Sequence, residues 1–580
     1  MHLVFKNVNQ LWSYVVVSTL KHLGLDFAIL CPGSRSTPLT LAFCQQASDI
    51  ESIPILDERS GAFFALGRAK ATGKPVVLVC TSGTAGANFY PAVIEAKESR
   101  VPLLLLTADR PPELRDCHSG QTIDQVKLYG NYPNWQTELA TPVAEIQMLS
   151  YLRQTIIHAW KRCQFPRGGV VHLNIPFRDP LAPVADGTDF ILDTAEFFRG
   201  IIPTPLPTVN YPLPLEWKKY ERGIIIAGVA QPQDPEKYCR AISCLSRTLQ
   251  WPVLAEGLSP VRNYADLCPY LISTYDLILR NPQLRQKLTP QIIIQIGEMP
   301  TSKELRHWLM GVNAQRFVID SSFENIDPLH GKTVHLRICV EDLDFGEEGV
   351  WDSVASLCLQ QYLQQWCAME AAVRKNIDDM FLKTEELTES KAAWLISHLL
   401  PGNTPLFIAN SMPVRDVEFF WKPNSLRIKP YFNRGANGID GSLSTALGIA
   451  HQHHTSLGSV MLTGDLALLH DTNGFLLRNK FLGHLTIVLI NNNGGGIFEM
   501  LPIANFDPPF EDFFATPQNI NFADLCVTYG VDYEIIGSWH HLEERLRILP
   551  SEGIRVLEIP TNRKRDAQWR KQYLGKMSLL

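Results

Sequence analysis

Two oxygen-rich segments near the C-terminal end of the sequence have the spacing of a metal-assisted anion site. "TGDLALLHDTNG" begins at Thr463 and "NNNGGGIF" begins at Asn491. Asp465 and Asn492 stand 27 positions apart, each at the end of an apolar run, which leaves room for one helix between two strands. A small, hard divalent cation takes oxygen ligands and keeps phosphate oxygens among them. The Asp465 carboxylate, the Asn492 side-chain oxygen and a backbone carbonyl would serve it. Gly464 lets a diphosphate approach the backbone with no Cβ in the way, and a helix starting after Asp465 would turn its N-terminus toward the anion. Taken separately, "GD" is an ordinary strand end and "NNNGGG" an ordinary turn. The pair at this distance carries the chemistry.

Glu58 is the second candidate, far upstream. It closes the short run "ILDE" and precedes a helix-like stretch with Ala62, Phe63, Ala65 and Leu66. A carboxylate there is either an N-terminal charge favoured by the helix dipole or, if buried, a proton-transfer group with a raised pKa. Four loops then carry arginines: "CPGSRSTPL" with Ser34 and Arg35, "TADRP" with Arg110 and "HSGQTIDQ" beyond it, "ANSMPVRD" with Ser411 and Arg415, and "YFNRGANGIDGSLSTALG" with Arg434. Arginine grips carboxylates in a bidentate fork. Any one of these could be a structural ion pair; four together suit substrates bearing several carboxylates.

The elements that must position these groups read as α/β. Residues 27–33, 75–83 and 101–111 are continuous apolar runs that end in Gly or polar turns, with helical stretches between them. Such runs fit parallel strands covered on both faces, in a doubly wound sheet. Pro180, Pro183, Pro203, Pro205, Pro207, Pro212 and Pro214 then exclude a long helix and read as a linker. A second block starts at "GIIIAG" (residues 223–228) and includes "QIIIQIGEMP" and "RFVID". A helical connection leads to a third block with "PLFIAN", "SVMLTGD" and "LTIVLINNN". In open parallel sheets ligands bind at the carboxyl ends of strands, where most of the polar candidates fall.

The Asp465–Asn492 pattern resembles the cofactor motif of the thiamine-diphosphate (ThDP) dependent 2-oxo-acid enzymes. The third motif residue, usually Gly in those enzymes, is Leu466 here. That departure leaves the metal ligands untouched, and "GDLA…LHD" is similar to the MenD family of menaquinone and phylloquinone biosynthesis. The arginine loops match their MenD counterparts over most of the first and third blocks and less well in the middle. The resemblance implies three doubly wound parallel-sheet α/β domains: a pyrimidine-binding domain over residues 1–185, a linker over 186–217, a central domain over 218–365, a helical connection over 366–387 and a diphosphate-binding domain over 388–580. It implies Mg²⁺ or Mn²⁺ on Asp465, Asn492 and the Gly494 carbonyl. ThDP contacts would come from Pro32, Glu58, Thr81, Asn410, Ser411, Met412, Ile439, Gly464, Asp465, Leu466, Ala467, Asn492, Gly494, Gly495, Gly496 and Ile497.

The activity it implies is a C–C bond-forming transfer: decarboxylation of 2-oxoglutarate and 1,4-addition of the succinyl carbanion to isochorismate, with release of CO₂. Glu58, buried, would move protons on the aminopyrimidine ring, and Gln121 would hydrogen-bond intermediates. Ser34, Arg35, Arg110, Lys303, Ser411, Arg415 and Arg434 would hold the substrates, and Ile497 and Phe498 would form an apolar wall. Ile439 would either bend the cofactor or serve as an ordinary core residue. In "TSKELRHW" Lys303 matches, but the next position, usually Arg, is Glu304. Arg306 would replace that cation, or the segment is a solvated helix start. In this family the Glu and the diphosphate site come from different subunits, which implies a homodimer or homotetramer.

The bulk numbers narrow the alternatives. Net charge −6 opposes a broad nucleic-acid footprint, and the basic run Arg563-Lys564-Arg565 with Arg570-Lys571 reads as a solvated terminal helix. The 12 cysteines form no CxxC pair, which suits a reducing compartment. With no secretory pattern and no run of ~18 apolar residues, the expected location is the cytoplasm. The middle block lacks GxGxxG, so FAD or NAD is not expected there. Two rivals remain: a ThDP enzyme acting on pyruvate, and a ThDP-fold subunit without catalysis.

Overall fold

The computed structural model describes residues 2–188, 190–202, 210–346, 357–455 and 458–577. The apolar runs become inner strands of three six-stranded sheets. The first sheet has the order Glu51–Pro54, Phe27–Leu30, Val76–Cys80, Leu103–Asp109, Val170–Pro176, Trp135–Glu138, every pair parallel. The third has the order Lys429–Tyr431, Pro405–Ile408, Ser459–Gly464, His484–Asn491, Gly553–Pro560, Asp532–Ile535, again all parallel. Counted along the chain, both sheets wind 2-1-3-4-6-5. The direction of growth reverses between the first and third strands, and there a crevice opens at the carboxyl ends.

The middle sheet winds differently, 3-2-1-4-5-6, from Leu271–Ile272 through Val253–Ala255, Gly223–Ala227, Ile292–Ile296 and Gln315–Ile319 to Thr333–Leu336. Its reversal point is closed by backbone. An isolated antiparallel bridge joins Val229 to Glu298, and a Cβ on Gly228 would fall 1.7 Å from the Glu298 carbonyl oxygen.

The chain divides into two compact units, Met1–Pro207 with Asn433–Gln452 and His470–Leu482, and Thr208–Phe432 with His453–Leu469 and Gly483–Leu580. In the first, the helix Glu58–Thr72 packs on the helix Ser442–Gln452. A Cβ on Gly67 would lie 2.1 Å from the Thr445 carbonyl oxygen, and one on Gly448 2.1 Å from that of Phe64. Each glycine thus admits the other helix's backbone. His451 to Glu51 at 2.7 Å and Asn473 to Asp57 at 2.7 Å secure the packing. His2–Val4 pairs antiparallel with Ile191–Asp193, so the chain after the first sheet folds back on the N-terminus. Residues 203–209 of the expected linker, with Pro203, Pro205 and Pro207, lie outside the described residues.

In the second unit the helix Leu357–Lys383 follows the middle sheet. Arg262, wholly buried, donates to the carbonyls of Val417 and Glu418 at 3.3 and 2.9 Å and to the Glu418 carboxylate at 3.2 Å. The basic C-terminal run is not simply solvated. It forms the helix Arg563–Tyr573, on which Arg563, Asp566, Ala567 and Arg570 are buried while Lys564, Arg565 and Lys571 are exposed. The buried four fall at i, i+3, i+4 and i+7 and share one helix face, which the count of charges alone concealed.

Candidate active site

At the crevice of the third sheet, Pro405–Ile408 leads into Asn410, which is buried, and Ser411, which adopts φ 73 and ψ −126. A non-glycine residue held there costs about 1–3 kcal/mol and persists where its surroundings over-determine it. The Arg415 guanidinium donates to the Ser411 carbonyl at 2.6 Å, and Met412, buried, opens the helix Met412–Phe420. On the neighbouring strand, a Cβ on Gly464 would meet nothing within 4 Å, so open space lies where the diphosphate was expected. Asp465 accepts from the backbone amides of Leu466 at 2.9 Å and Gly494 at 2.7 Å. Burial pushes its pKa up to about 6, and nearby Glu389 adds to the rise; a bound cation would reverse both effects.

Asn492 supplies the test of whether a cation fits. It is 9% exposed, and its Nδ2 donates to Glu389 Oε1 at 2.6 Å. Its Oδ1 is buried with no hydrogen-bond partner. A buried amide oxygen is seldom left unpaired without cause, and a metal ligand is such a cause. Among the described residues no three His, Cys, Asp or Glu side chains cluster as a metal site, so the fit rests on an Asp–Asn–carbonyl set. Gly494 has φ 140, and a Cβ there would sit 2.4 Å from the Ala515 carbonyl oxygen. Gly495 and Gly496 are buried; Ile497 and Phe498 are half-buried on the 3₁₀ turn Gly496–Met500. Leu466 is half-buried and Ala467 buried. The expected helix after Asp465 is only the single turn Asp465–Leu469 before a 3₁₀ segment, Thr472–Asn479. Asp471 interrupts it by accepting from Ser444 N at 2.7 Å, so a strong helix dipole at this anion site is not available.

At the crevice of the first sheet, Pro32 and Ser34 are exposed and Thr81 is buried, accepting from the Arg35 backbone amide at 3.3 Å. The Arg35 side chain is itself buried. Its Nη1 donates to the Phe177 carbonyl at 2.9 Å, while its Nε has no partner. Burial, and then the neighbouring Arg110 charge, pull its pKa down. The Asp179 carboxylate, 3.6 Å from Nη1, and Asp109 offset part of that fall. Arg110 donates to the Gly120 carbonyl at 2.9 Å, and the next residue, Gln121, is exposed with φ 58 and donates to the Ser82 carbonyl at 2.9 Å. Gln125 accepts from Gly83 N at 2.9 Å. The loops after four strands are thereby knitted together.

Glu58 stands in the first turn of its helix, behind the Asp57 cap, and is half-buried rather than buried. Leu56 beside it is exposed, while its carboxylate lies near enough to the buried thiols of Cys31 and Cys80 to raise their pKa values. Arg434 and Ile439 lie on a segment anchored by buried Glu95, which accepts from Gly435 N at 3.0 Å and Ala436 N at 2.7 Å. A cavity of about 180 Å³ lined by Phe63, Ile94, Glu95, Asn433 and Asp440 lies beside that segment. Ile439 is half-buried. Lys303 is exposed at the start of the helix Lys303–Met310. Arg306 donates to the Pro300 carbonyl at 2.9 Å, while Glu304 pairs with Arg285.

The sequence matches known proteins over most of its length. Residues 12–128 match the family model "Thiamine pyrophosphate enzyme, N-terminal TPP binding domain", and residues 212–408 match "Middle domain of thiamine pyrophosphate". A protein of Trichormus variabilis named 2-succinyl-5-enolpyruvyl-6-hydroxy-3-cyclohexene-1-carboxylate synthase is 68% identical over 582 residues, 99% of each chain. The chain belongs to this synthase family. Members of the same name from Nostoc sp. and Gloeothece citriformis are 68% and 61% identical, each over 99% of both chains. Membership accounts for the three parallel sheets and for a thiamine-diphosphate enzyme. Among the described residues no helix is long and apolar enough to cross a membrane. Reading the family motif missed Glu95, Glu389, Asp416 and Arg570. Only Arg570 left a signal, its place seven residues after Arg563 on one helix face.

Proposed function

We propose that the protein is a cytoplasmic, Mg²⁺- or Mn²⁺-dependent 2-succinyl-5-enolpyruvyl-6-hydroxy-3-cyclohexene-1-carboxylate synthase, acting on 2-oxoglutarate and isochorismate as a homodimer or homotetramer. The observation that carries the reading is the partnerless, buried Oδ1 of Asn492 at the strand ends that also present Asp465. Asp465, Asn492 and the Gly494 carbonyl hold the cation, and Asn410, Ser411, Met412, Gly464, Leu466, Ala467, Gly495, Gly496 and Ile497 surround the diphosphate end. Pro32, Thr81 and Ile439 support the rings. Thiamine diphosphate, when bound, supplies the carbon centre that takes the electron pair as CO₂ leaves.

Glu58 holds and moves the proton at the aminopyrimidine ring. Its half-exposed position agrees with completion of the site by the diphosphate domain of a second subunit. Arg35 and Arg110 offer a paired positive charge to a carboxylate, with Ser34 and Gln121 beside them. Ser411, Arg415, Arg434 and Lys303 bind the remaining anionic groups, and Ile497 and Phe498 keep water off the reacting carbon.

Two measurements test this. CO₂ release should be far faster from 2-oxoglutarate than from pyruvate; the reverse order would assign a different ThDP enzyme, and no turnover of any 2-oxo acid a subunit without catalysis. Arg35→Met should raise KM for one carboxylate substrate by roughly 10–100-fold, the worth of one charged hydrogen-bond pair at about 1.5–3 kcal/mol. An unchanged KM for both substrates would return Arg35 to a structural role.

A further inference from the structure

We propose that Glu389 is a positioning residue of the metal site, fixing the Asn492 amide so that its oxygen, and not its nitrogen, faces the cation. This rests on the reading of Asp465, Asn492 and Gly494 as the metal ligands. The two ends of a side-chain amide are nearly equal in shape, and only their hydrogen-bond partners decide which way each points. An ionised carboxylate accepts and cannot donate. Glu389 Oε1, 2.6 Å from Asn492 Nδ2, can therefore hold only the nitrogen. Oδ1 is then left for a ligand, and it is buried without a protein partner.

Glu389 cannot readily turn away. Its Oε2 accepts from Arg570 at 2.8 Å, and its backbone amide donates to Asp566 at 3.3 Å. Glu389, Arg570 and Asp566 are all buried, at 3%, 1% and 1% exposure. The same guanidinium binds both oxygens of Asp416, at 2.9 and 2.7 Å. Asp416 rides on the helix Met412–Phe420, which starts directly after Ser411. One arginine from the C-terminal helix thus braces both sides of the diphosphate crevice, through Glu389 on the Asn492 side and through Asp416 on the Ser411 side.

The test is Mn²⁺ binding, read by electron paramagnetic resonance on the full chain with thiamine diphosphate present. In Glu389→Gln the single amide oxygen goes to Arg570, and the new NH₂ group faces Asn492. Asn492 then flips, and its nitrogen meets the metal. Mn²⁺ affinity is expected to fall roughly 10–100-fold, as for other partners of metal ligands. The double variant Glu389→Gln with Asn492→Asp should regain most of that loss, since the introduced carboxylate can accept from the new NH₂ with one oxygen and offer the other to the metal. A bracing role for Glu389 alone predicts no such rescue. If Glu389→Gln does not fold, Glu389→Asp keeps the charge for Arg570, shortens the reach to Asn492 and should show the same loss. Unchanged Mn²⁺ affinity in the variants, or a loss that Asn492→Asp does not restore, overturns the proposal. Wild-type protein that binds no Mn²⁺ with thiamine diphosphate overturns instead the reading of the ligands.

Discussion

Glu58→Gln is expected to lower the rate of CO₂ release from 2-oxoglutarate by about 10²–10⁴-fold, the usual contribution of a positioned proton-transfer group, while thiamine diphosphate still binds. Glutamine keeps the size and the hydrogen-bonding reach of the side chain but cannot take up or release a proton. The helix start that carries Glu58 is otherwise complete: Asp57 already accepts from the amides of Arg59 at 2.9 Å and Ser60 at 3.4 Å. Helix capping therefore does not need the Glu58 carboxylate. Were its role only to complement the helix dipole, the change would cost about 0.3–1 kcal/mol of stability and leave turnover intact. Rate and bound cofactor, measured on the same preparation, separate these outcomes.

Arg570→Met should be the most damaging single change to the second unit. It leaves Asp416, Glu389 and Asp566 buried without the guanidinium that binds the first two. Burial already lifts the pKa of Asp416 and of Asp566 above the usual carboxylate range, even with Arg570 in place. Removing one partner from a buried ion pair costs about 3–5 kcal/mol, because the desolvated charge left behind has no compensation. A lower denaturant midpoint should therefore accompany loss of Mn²⁺ binding. Lys571→Met, one position further along the same helix but exposed, should stay within about 0.5 kcal/mol of wild type. Equal behaviour of the two variants would contradict the network.

Continuous Val, Ile and Leu runs made the inner strands legible. Residues 27–30, 76–80, 103–109, 292–296, 405–408 and 485–490 could only be buried on both faces. Edge strands such as Asp532–Ile535 and Trp135–Glu138 escaped notice, since half their side chains face solvent and their polar residues look like loop. The strand-end placement of Asp465, Asn492 and the glycines was legible because oxygen-bearing residues and glycines close the apolar runs. Glu389 was not. It is one carboxylate at a helix start, and its role comes from Arg570, 181 positions away. Glu95 holds the Arg434 segment from 341 positions upstream, again through backbone amides that leave no mark on composition. The i, i+3, i+4, i+7 face of the terminal helix was readable, but a run of lysines and arginines invites the solvated reading first.

The measurement that bears most directly on the site is equilibrium binding of thiamine diphosphate to the purified full chain, with and without Mg²⁺. Tight binding is expected with Mg²⁺, strong weakening when a chelator removes it, and the same weakening in Asn492→Ala with Mg²⁺ supplied. Cofactor binding indifferent to Mg²⁺ and to Asn492, or no binding at all, would contradict the assignment of Asp465, Asn492 and Gly494 as the residues that hold the metal.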